Sequence, residues 1–277
     1  MAAQGLDVGR EPVRASPKIR LERVSKRFQL PRGGELRVLE RLDLEVEEGA
    51  LLSIVGPSGC GKSTLLNMVA GLEPASEGRV LVSGKEVGPG RGTVRVGYVF
   101  QQPRLLSWRT LRGNVLLPLE EMGLSRAERE ARADRYLALV GLQEFAHYYP
   151  LQVSGGMQQR VAIARALAVE PEVLLADEPF SALDEITARR LREEFVRIWQ
   201  ATGRTVLFVT HSIREAVFLS TRVVVVTPRP ARIYLDVPVP IPYPRTYEDE
   251  RLFALEREIT REFLRMEKMV GPHVGIA

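Results

Sequence analysis

Short continuous apolar runs alternate along this chain with longer segments in which apolar positions return every third or fourth residue. Leu51-Leu52-Ser53-Ile54-Val55, Val173-Leu174-Leu175-Ala176 and Thr205-Val206-Leu207-Phe208-Val209-Thr210 read as buried strands, and residues 65–70, 158–169 and 187–201 as helices. Strands alternating with helices predict a doubly wound parallel sheet. Ahead of it, Ile19, Leu21 and Val24 predict a strand, residues 31–35 a hairpin turn, and residues 37–46 a second β segment. Further short strands are expected at 79–82 and 94–100. From 111 to 153 the pattern turns helical, which reads as a small insertion spanning about 102–153.

Past Val226 the prolines at 228, 230, 238, 240, 242 and 244 enforce extended edge structure, because each removes a backbone donor. Leu252, Leu255, Ile259, Phe263 and Met266 then mark an amphipathic helix expected to pack on its own domain. The predicted division is a disordered tail at 1–17, a main domain at 18–230 and a C-terminal extension at 231–277.

Composition narrows the classes. Apolar residues make up 45% of the 277, which is ordinary for a globular protein. No apolar run approaches the ~20 residues of a membrane span, and residues 1–17 lack the apolar stretch of a signal peptide, so a cytoplasmic chain is expected. Cys60 is the single cysteine, which excludes an intramolecular disulfide and a cysteine zinc cluster. The net charge of +4 comes from well-mixed basic and acidic residues and does not call for nucleic acid.

The run Gly56-Pro57-Ser58-Gly59-Cys60-Gly61-Lys62-Ser63-Thr64 fits the phosphate-loop pattern G-x-x-x-x-G-K-[ST] and lies between a predicted strand and a predicted helix. Its glycines let backbone N–H groups wrap a phosphate, and the helix N-terminus adds positive potential. Lys62 is expected on the β and γ phosphates of a nucleotide and Ser63 on Mg²⁺. Cys60 sits where a thiol pKa can fall, and it is read as a packing residue.

Asp177 and Glu178 close a buried strand, so they are expected on the same edge as the phosphate loop, Asp177 toward Mg²⁺ and Glu178 toward the γ-phosphate as general base. His211, after the strand at 205–210, belongs on that edge too, orienting Glu178 and the attacking water. His147 and His273 have no such placement. Ser154-Gly155-Gly156 opens another helix and offers a second anion-binding N-terminus, which one phosphate loop does not require.

With that second turn the chain resembles the ATP-binding subunits of ABC transporters from about residue 19 to 264. The resemblance implies an α/β fold of the P-loop NTPase (RecA-like) class, with a parallel-sheet core, an N-terminal antiparallel β subdomain and an inserted helical subdomain. It implies a head-to-tail homodimer in which Ser154, Gly155 and Gly156 meet the ATP held by the other subunit. Val153 and Met157 stand where the signature more commonly has Leu and Gln. Gln101 matches the glutamine that touches Mg²⁺ and the water, with Gln102 as the neighbouring choice. Asp184 matches the loop that contacts the opposite subunit, and Phe28 the ring that stacks on adenine, where Tyr is commoner.

Residues 100–108 and the proline-rich ending look like the importer branch serving nitrate, aliphatic sulfonates and taurine. That branch implies a transmembrane permease, an extracytoplasmic solute-binding protein, and a site of work on the cytoplasmic face of the inner membrane. Leu105, Leu106 and Trp108 are candidates for the groove that receives a permease helix, or for core of the insertion. The alternative class is a soluble ABC ATPase acting on nucleic acid or ribosomes. Such proteins usually carry two fused cassettes or a long coiled coil, and neither is visible here. A P-loop kinase or GTPase would leave Ser154 to Gly156 and His211 without a purpose.

Overall fold

The computed structural model describes residues 16–31, 33–90 and 94–270. The predicted tail therefore lies outside the described residues, except for its last two positions.

Strands β1 (Ile19–Gln29), β2 (Glu35–Val46), β4 (Glu77–Val82) and β5 (Lys85–Glu86) form an antiparallel sheet in the order β2-β1-β4-β5. The second sheet orders β10 (Ile233–Pro238), β9 (Arg222–Val226), β3 (Leu51–Val55), β8 (Thr205–Thr210), β7 (Val173–Asp177) and β6 (Val96–Val99). It is parallel from β9 to β6, and β10 runs antiparallel at its edge.

Strand β3 explains how one sheet serves two cores. All five of its residues are buried, and successive side chains face opposite sides. Leu51 and Val55 join the core beneath the helices, with Phe180, Phe195 and Phe208, whereas Leu52 and Ile54 join the core against the antiparallel sheet, with Ile19, Leu42 and Leu66.

Helix α1 (Lys62–Val69) follows β3 directly. The insertion comprises α2 (Leu111–Leu116), a short 3₁₀ turn and α3 (Arg126–Leu139), and both helices pack on α4 (Gly155–Ala168). Ser125 and Glu128 close a capping box at the start of α3. Buried Asn114 makes the insertion's sharp entry possible: its side chain accepts from the Leu106 N–H at 2.7 Å and donates to the carbonyls of Leu106, Arg109 and Thr110.

After α5 (Glu185–Thr202) and β8 come α6 (Ile213–Leu219), β9 and β10. The proline-rich segment does form an edge strand, but it begins inside the main sheet, so the sheet runs across the boundary predicted at 230/231. Buried Arg245 docks the next stretch. It donates to the carbonyls of Val217, Phe218 and Ser220 at the end of α6 at 2.8, 3.0 and 2.8 Å, and to those of Val239 and Ile241. A cation at a helix C-terminus meets carbonyls that have no partner within the helix. Tyr247 stacks on Phe218 at 4.1 Å between ring centroids. Helix α7 (Glu250–Val270) then lies on α6 and buries Leu252, Ile259 and Met266, as its periodicity predicts. Among the described residues, no helix is long and apolar enough to cross a membrane.

Candidate nucleotide site

Four neighbouring strands deliver the predicted residues to one edge of the sheet. Val55 pairs with Thr210, Asp177 with Val209, and Val99 with Ala176, so β3, β8, β7 and β6 end level. The phosphate loop, His211, Glu178 and Gln101 each follow one of those ends, beyond the carboxyl termini of the parallel strands where ligands of such sheets bind.

The loop's shape depends on glycine where the chain is most crowded. Gly61 has φ +118°, and a Cβ there would come within 2.6 Å of Val38 and 2.9 Å of Leu39. Gly56 would meet Val226 at 2.6 Å. Lys62 is buried and donates to the carbonyls of Gly56 at 2.8 Å and Pro57 at 3.1 Å, so its ammonium is held over the loop. Its Nζ lies 3.5 Å from Glu178 Oε1.

Glu178 is a non-glycine residue in the left-handed region, with φ 44°, at the turn where β7 leaves the sheet. Its other oxygen lies 2.8 Å from Nδ1 of His211, whose ring is more than half exposed. Ser63 Oγ donates to Asp177 Oδ1 at 3.0 Å. The geometry therefore brings Lys62, Ser63, Asp177, Glu178 and His211 together. Gln101 is linked less directly: its Nε2 donates to Ser181 Oγ at 3.1 Å, and Ser181 donates to the Glu178 carbonyl at 2.9 Å.

Burial pushes the Asp177 carboxyl up from its ordinary pKa, and the hydroxyls of Ser63 and Tyr98 pull it back. Burial, with Asp177 beside it, drives the Tyr98 phenol well above its usual range, so it stays a donor. Cys60 is buried, and burial pushes its thiol up against the pull of Lys62. That direction is opposite to the lowered thiol a cysteine at a helix start can have. The Thr187 N–H holds the Asp184 carboxyl below the usual carboxylate range.

Ser154, Gly155 and Gly156 lie apart from this cluster. Ser154 caps α4, accepting from the Met157 N–H at 3.3 Å. Asp184 caps α5, accepting from Thr187 at 3.0 Å. The two caps are neighbours, because a Cβ on Gly156 would lie 2.9 Å from Thr187 and one on Gly155 3.6 Å from Leu183. Among the described residues, no hydrogen bond or ion pair joins Ser154, Gly155 or Gly156 to the phosphate loop of the same chain. Phe28 is half-buried on the antiparallel sheet, with the Lys26 ammonium 4.8 Å from its ring centroid.

Two groups escaped the sequence reading. The Tyr98 hydroxyl lies 3.2 Å from Asn67 Oδ1 and 3.3 Å from Asp177 Oδ2, its one proton shared between the two acceptors. A hydroxyl-bearing residue within an otherwise apolar strand end was the available signal. Gln159 and Arg165 of α4 hold the Gln101 loop by its carbonyls at Phe100, Pro103 and Arg104. Nothing local in the sequence announces those contacts.

A P-loop sheet edge with two adjacent acids and a following histidine defines a nucleotide-hydrolysing cassette. The chain matches the ABC transporter family over residues 39–181 and belongs to it, which makes it an ATP-binding ATPase coupled to transport. It is 49% identical over 233 residues to an uncharacterised ABC transporter ATP-binding protein of Methanocaldococcus jannaschii, covering 84% of this chain and 86% of that one. It is 46% identical to a taurine import ATP-binding protein of Rhizobium johnstonii, covering 78% of this chain and 81% of that one. Its fold is similar to the dimeric structure of an ATP-binding cassette in a post-hydrolysis state bound to ADP and phosphate. That likeness has TM-score 0.69 and 34% identity, and covers 80% of this chain and 98% of that chain.

Proposed function

We propose that this chain is the ATP-hydrolysing subunit of an importer for a small solute such as nitrate, an aliphatic sulfonate or taurine. It works as a head-to-tail homodimer on the cytoplasmic face of the membrane, beneath transmembrane permease subunits fed by an extracytoplasmic solute-binding protein. The observation that carries the hydrolytic reading is the Lys62–Glu178–His211 cluster beside the Ser63–Asp177 pair. The separation of Ser154 to Gly156 from the loop of their own chain supports the dimer, since their free N–H groups then face another copy's nucleotide.

The phosphate loop, from Gly56 through Thr64 with Pro57, Ser58, Gly59 and Cys60 between, holds the triphosphate by backbone N–H groups and Lys62. Phe28 stacks on adenine. Ser63 and Asp177 supply two hard oxygen donors, and no group of three metal-ligating side chains exists among the described residues. That donor set fits Mg²⁺, which takes one or two protein oxygens and completes its shell with phosphates and water. Mg²⁺ would be held by Ser63 and Asp177, with Gln101 nearby, and supplies charge neutralisation to the phosphates. Glu178 takes a proton from the attacking water as oxygen bonds to the γ-phosphorus and the bond to the ADP oxygen breaks. His211 holds the far oxygen of Glu178 and keeps the base aimed.

Trp108 is 73% exposed on the insertion, with Tyr148, Tyr149 and Leu151 also exposed there, whereas Leu105 packs into the core. That exposure favours Trp108 over the partly buried Leu105 and Leu106 as the permease contact. Glu178→Gln tests the whole reading. ATP still binds, turnover falls by about 10² to 10⁴, and size-exclusion chromatography with ATP reveals an accumulated dimer. Hydrolysis near the normal rate would mean that another group is the base.

A further inference from the structure

Behind His211 a polar chain, buried at Arg192 and Glu215 and exposed at Glu185, connects segments that are far apart in sequence. Arg192 of α5 donates from Nε to Glu215 Oε1 at 2.9 Å, and from Nη1 to Glu185 Oε1 at 3.0 Å and to the Tyr247 hydroxyl at 3.3 Å. Glu215 is 6% exposed, and its second oxygen accepts the hydroxyl of buried Thr210. The Thr210 oxygen accepts the Ser212 N–H at 3.0 Å, and Ser212 Oγ accepts the Glu215 N–H at 3.2 Å. His211 is the residue enclosed by these bonds. The backbone on either side of it is fixed, and its ring reaches Glu178 at 2.8 Å. At the other end, Glu185 directly follows Asp184, the cap of α5.

A buried ion pair is a poor way to stabilise a core, since desolvation offsets most of the attraction and apolar residues of similar volume do as well. What the pair supplies here is direction. Two oxygens of one carboxylate fix the end of β8 relative to α5, and the arginine fork fixes both relative to the loop at Asp184.

We propose that Arg192 and Glu215 are positioning residues for ATP hydrolysis: they set where His211 presents its ring to Glu178, and they link that placement to the Asp184–Glu185 loop at the dimer face. This rests on the roles of His211 and Asp184 proposed above. A shift of the α5 N-terminus when two copies close would be passed to the histidine through two side chains.

The experiment uses the full chain and measures steady-state ATPase with nucleotide affinity. Arg192→Lys keeps the charge but cannot bridge Glu215 and Glu185 at once. It is expected to lower kcat about tenfold or more, as for loss of one charged hydrogen bond, with ATP affinity changed less than about twofold. Thr210→Val is isosteric and leaves the ion pair whole, so it keeps the test available if Arg192→Lys melts early; it should show the same kcat-only loss. In a His211→Ala background, Arg192→Lys should add less than about twofold, because coupled residues are non-additive. Normal kcat in both variants, or a full multiplicative loss in the His211→Ala background, overturns the inference alone. A His211→Ala chain that hydrolyses ATP normally overturns the role of the histidine, and the inference with it.

Discussion

Replacing Tyr98 by Phe tests whether the hydroxyl behind Asp177 shapes the metal site or only fills space. The ring stays, including its stack on Phe100 at 4.3 Å between centroids, so the change is confined to one oxygen. That oxygen has one proton to share between Asn67 Oδ1 at 3.2 Å and Asp177 Oδ2 at 3.3 Å, both toward the long end of the normal range. One net protein hydrogen bond is worth about 1 kcal/mol, so the loss is about 1 kcal/mol of stability. For a chain of this size that is a fall in Tm of about 2–4 °C. Asp177 keeps the Ser63 hydroxyl at 3.0 Å, so it is loosened rather than freed. Removing a group that orients a metal ligand typically costs 10- to 100-fold in metal affinity, and the long bond places this case near tenfold. The assay is ATPase rate against Mg²⁺ concentration at saturating nucleotide, beside a thermal melt. The expected result is a half-saturating Mg²⁺ concentration raised about tenfold with kcat recovered at high Mg²⁺. A Tm that falls while the Mg²⁺ dependence stays put would refute the reasoning and leave Tyr98 as packing.

Two further outcomes follow from burial. Cys60 should react with iodoacetamide slowly near neutral pH and faster only above the ordinary thiol range, with ATP protecting it and modification abolishing hydrolysis; rapid labelling would contradict the buried, raised thiol, and full ATPase after confirmed modification would contradict its place against the nucleotide. Glu194 lies 2.8 Å from Arg160 yet its Oε2 has no well-formed hydrogen bond, and burial raises its pKa. A carboxyl raised in the fold favours the protonated native state, so its contribution is greatest below the ordinary carboxylate range and is lost as pH rises through the raised value. Glu194→Gln should therefore raise Tm near neutral pH, with the gain shrinking toward acid in a melt series; a gain that grows toward acid would reverse the sign.

What the sequence made legible was chemistry that is contiguous in the chain. The loop at 56–64, the acids at 177 and 178 and the histidine at 211 each end a run apolar enough to be read as a buried strand, and the topology of such sheets brings those ends together. Helix starts were read late where the first turn carries polar or glycine residues: α4 begins at Gly155 rather than 158, and α5 at Glu185 rather than 187, each behind its cap. Helix α6 and strand β9 went unassigned: α6 is seven residues, too short to show a helical period, and only Ser220-Thr221-Arg222 separates its apolar end from Val223 to Val226, a continuous apolar run of the same kind as the other buried strands. The Arg192–Glu215 pair and the Tyr98–Asp177 contact span distances in sequence that no local pattern encodes.

Arg245 differs from Arg192 in how its loss could be repaired. Every hydrogen-bond partner of Arg245 is a main-chain carbonyl, at the end of α6 and in the segment after β10, and its guanidinium lies 4.0 Å from the Tyr243 ring centroid. An ion pair can be rebuilt by changing the second member, by swapping charges or by replacing both with apolar residues. A carbonyl cannot be substituted, so no compensating change elsewhere restores what this guanidinium does, and lysine has too few donors to span both segments. Arg245 can only be kept, or lost along with the docking of everything that follows it.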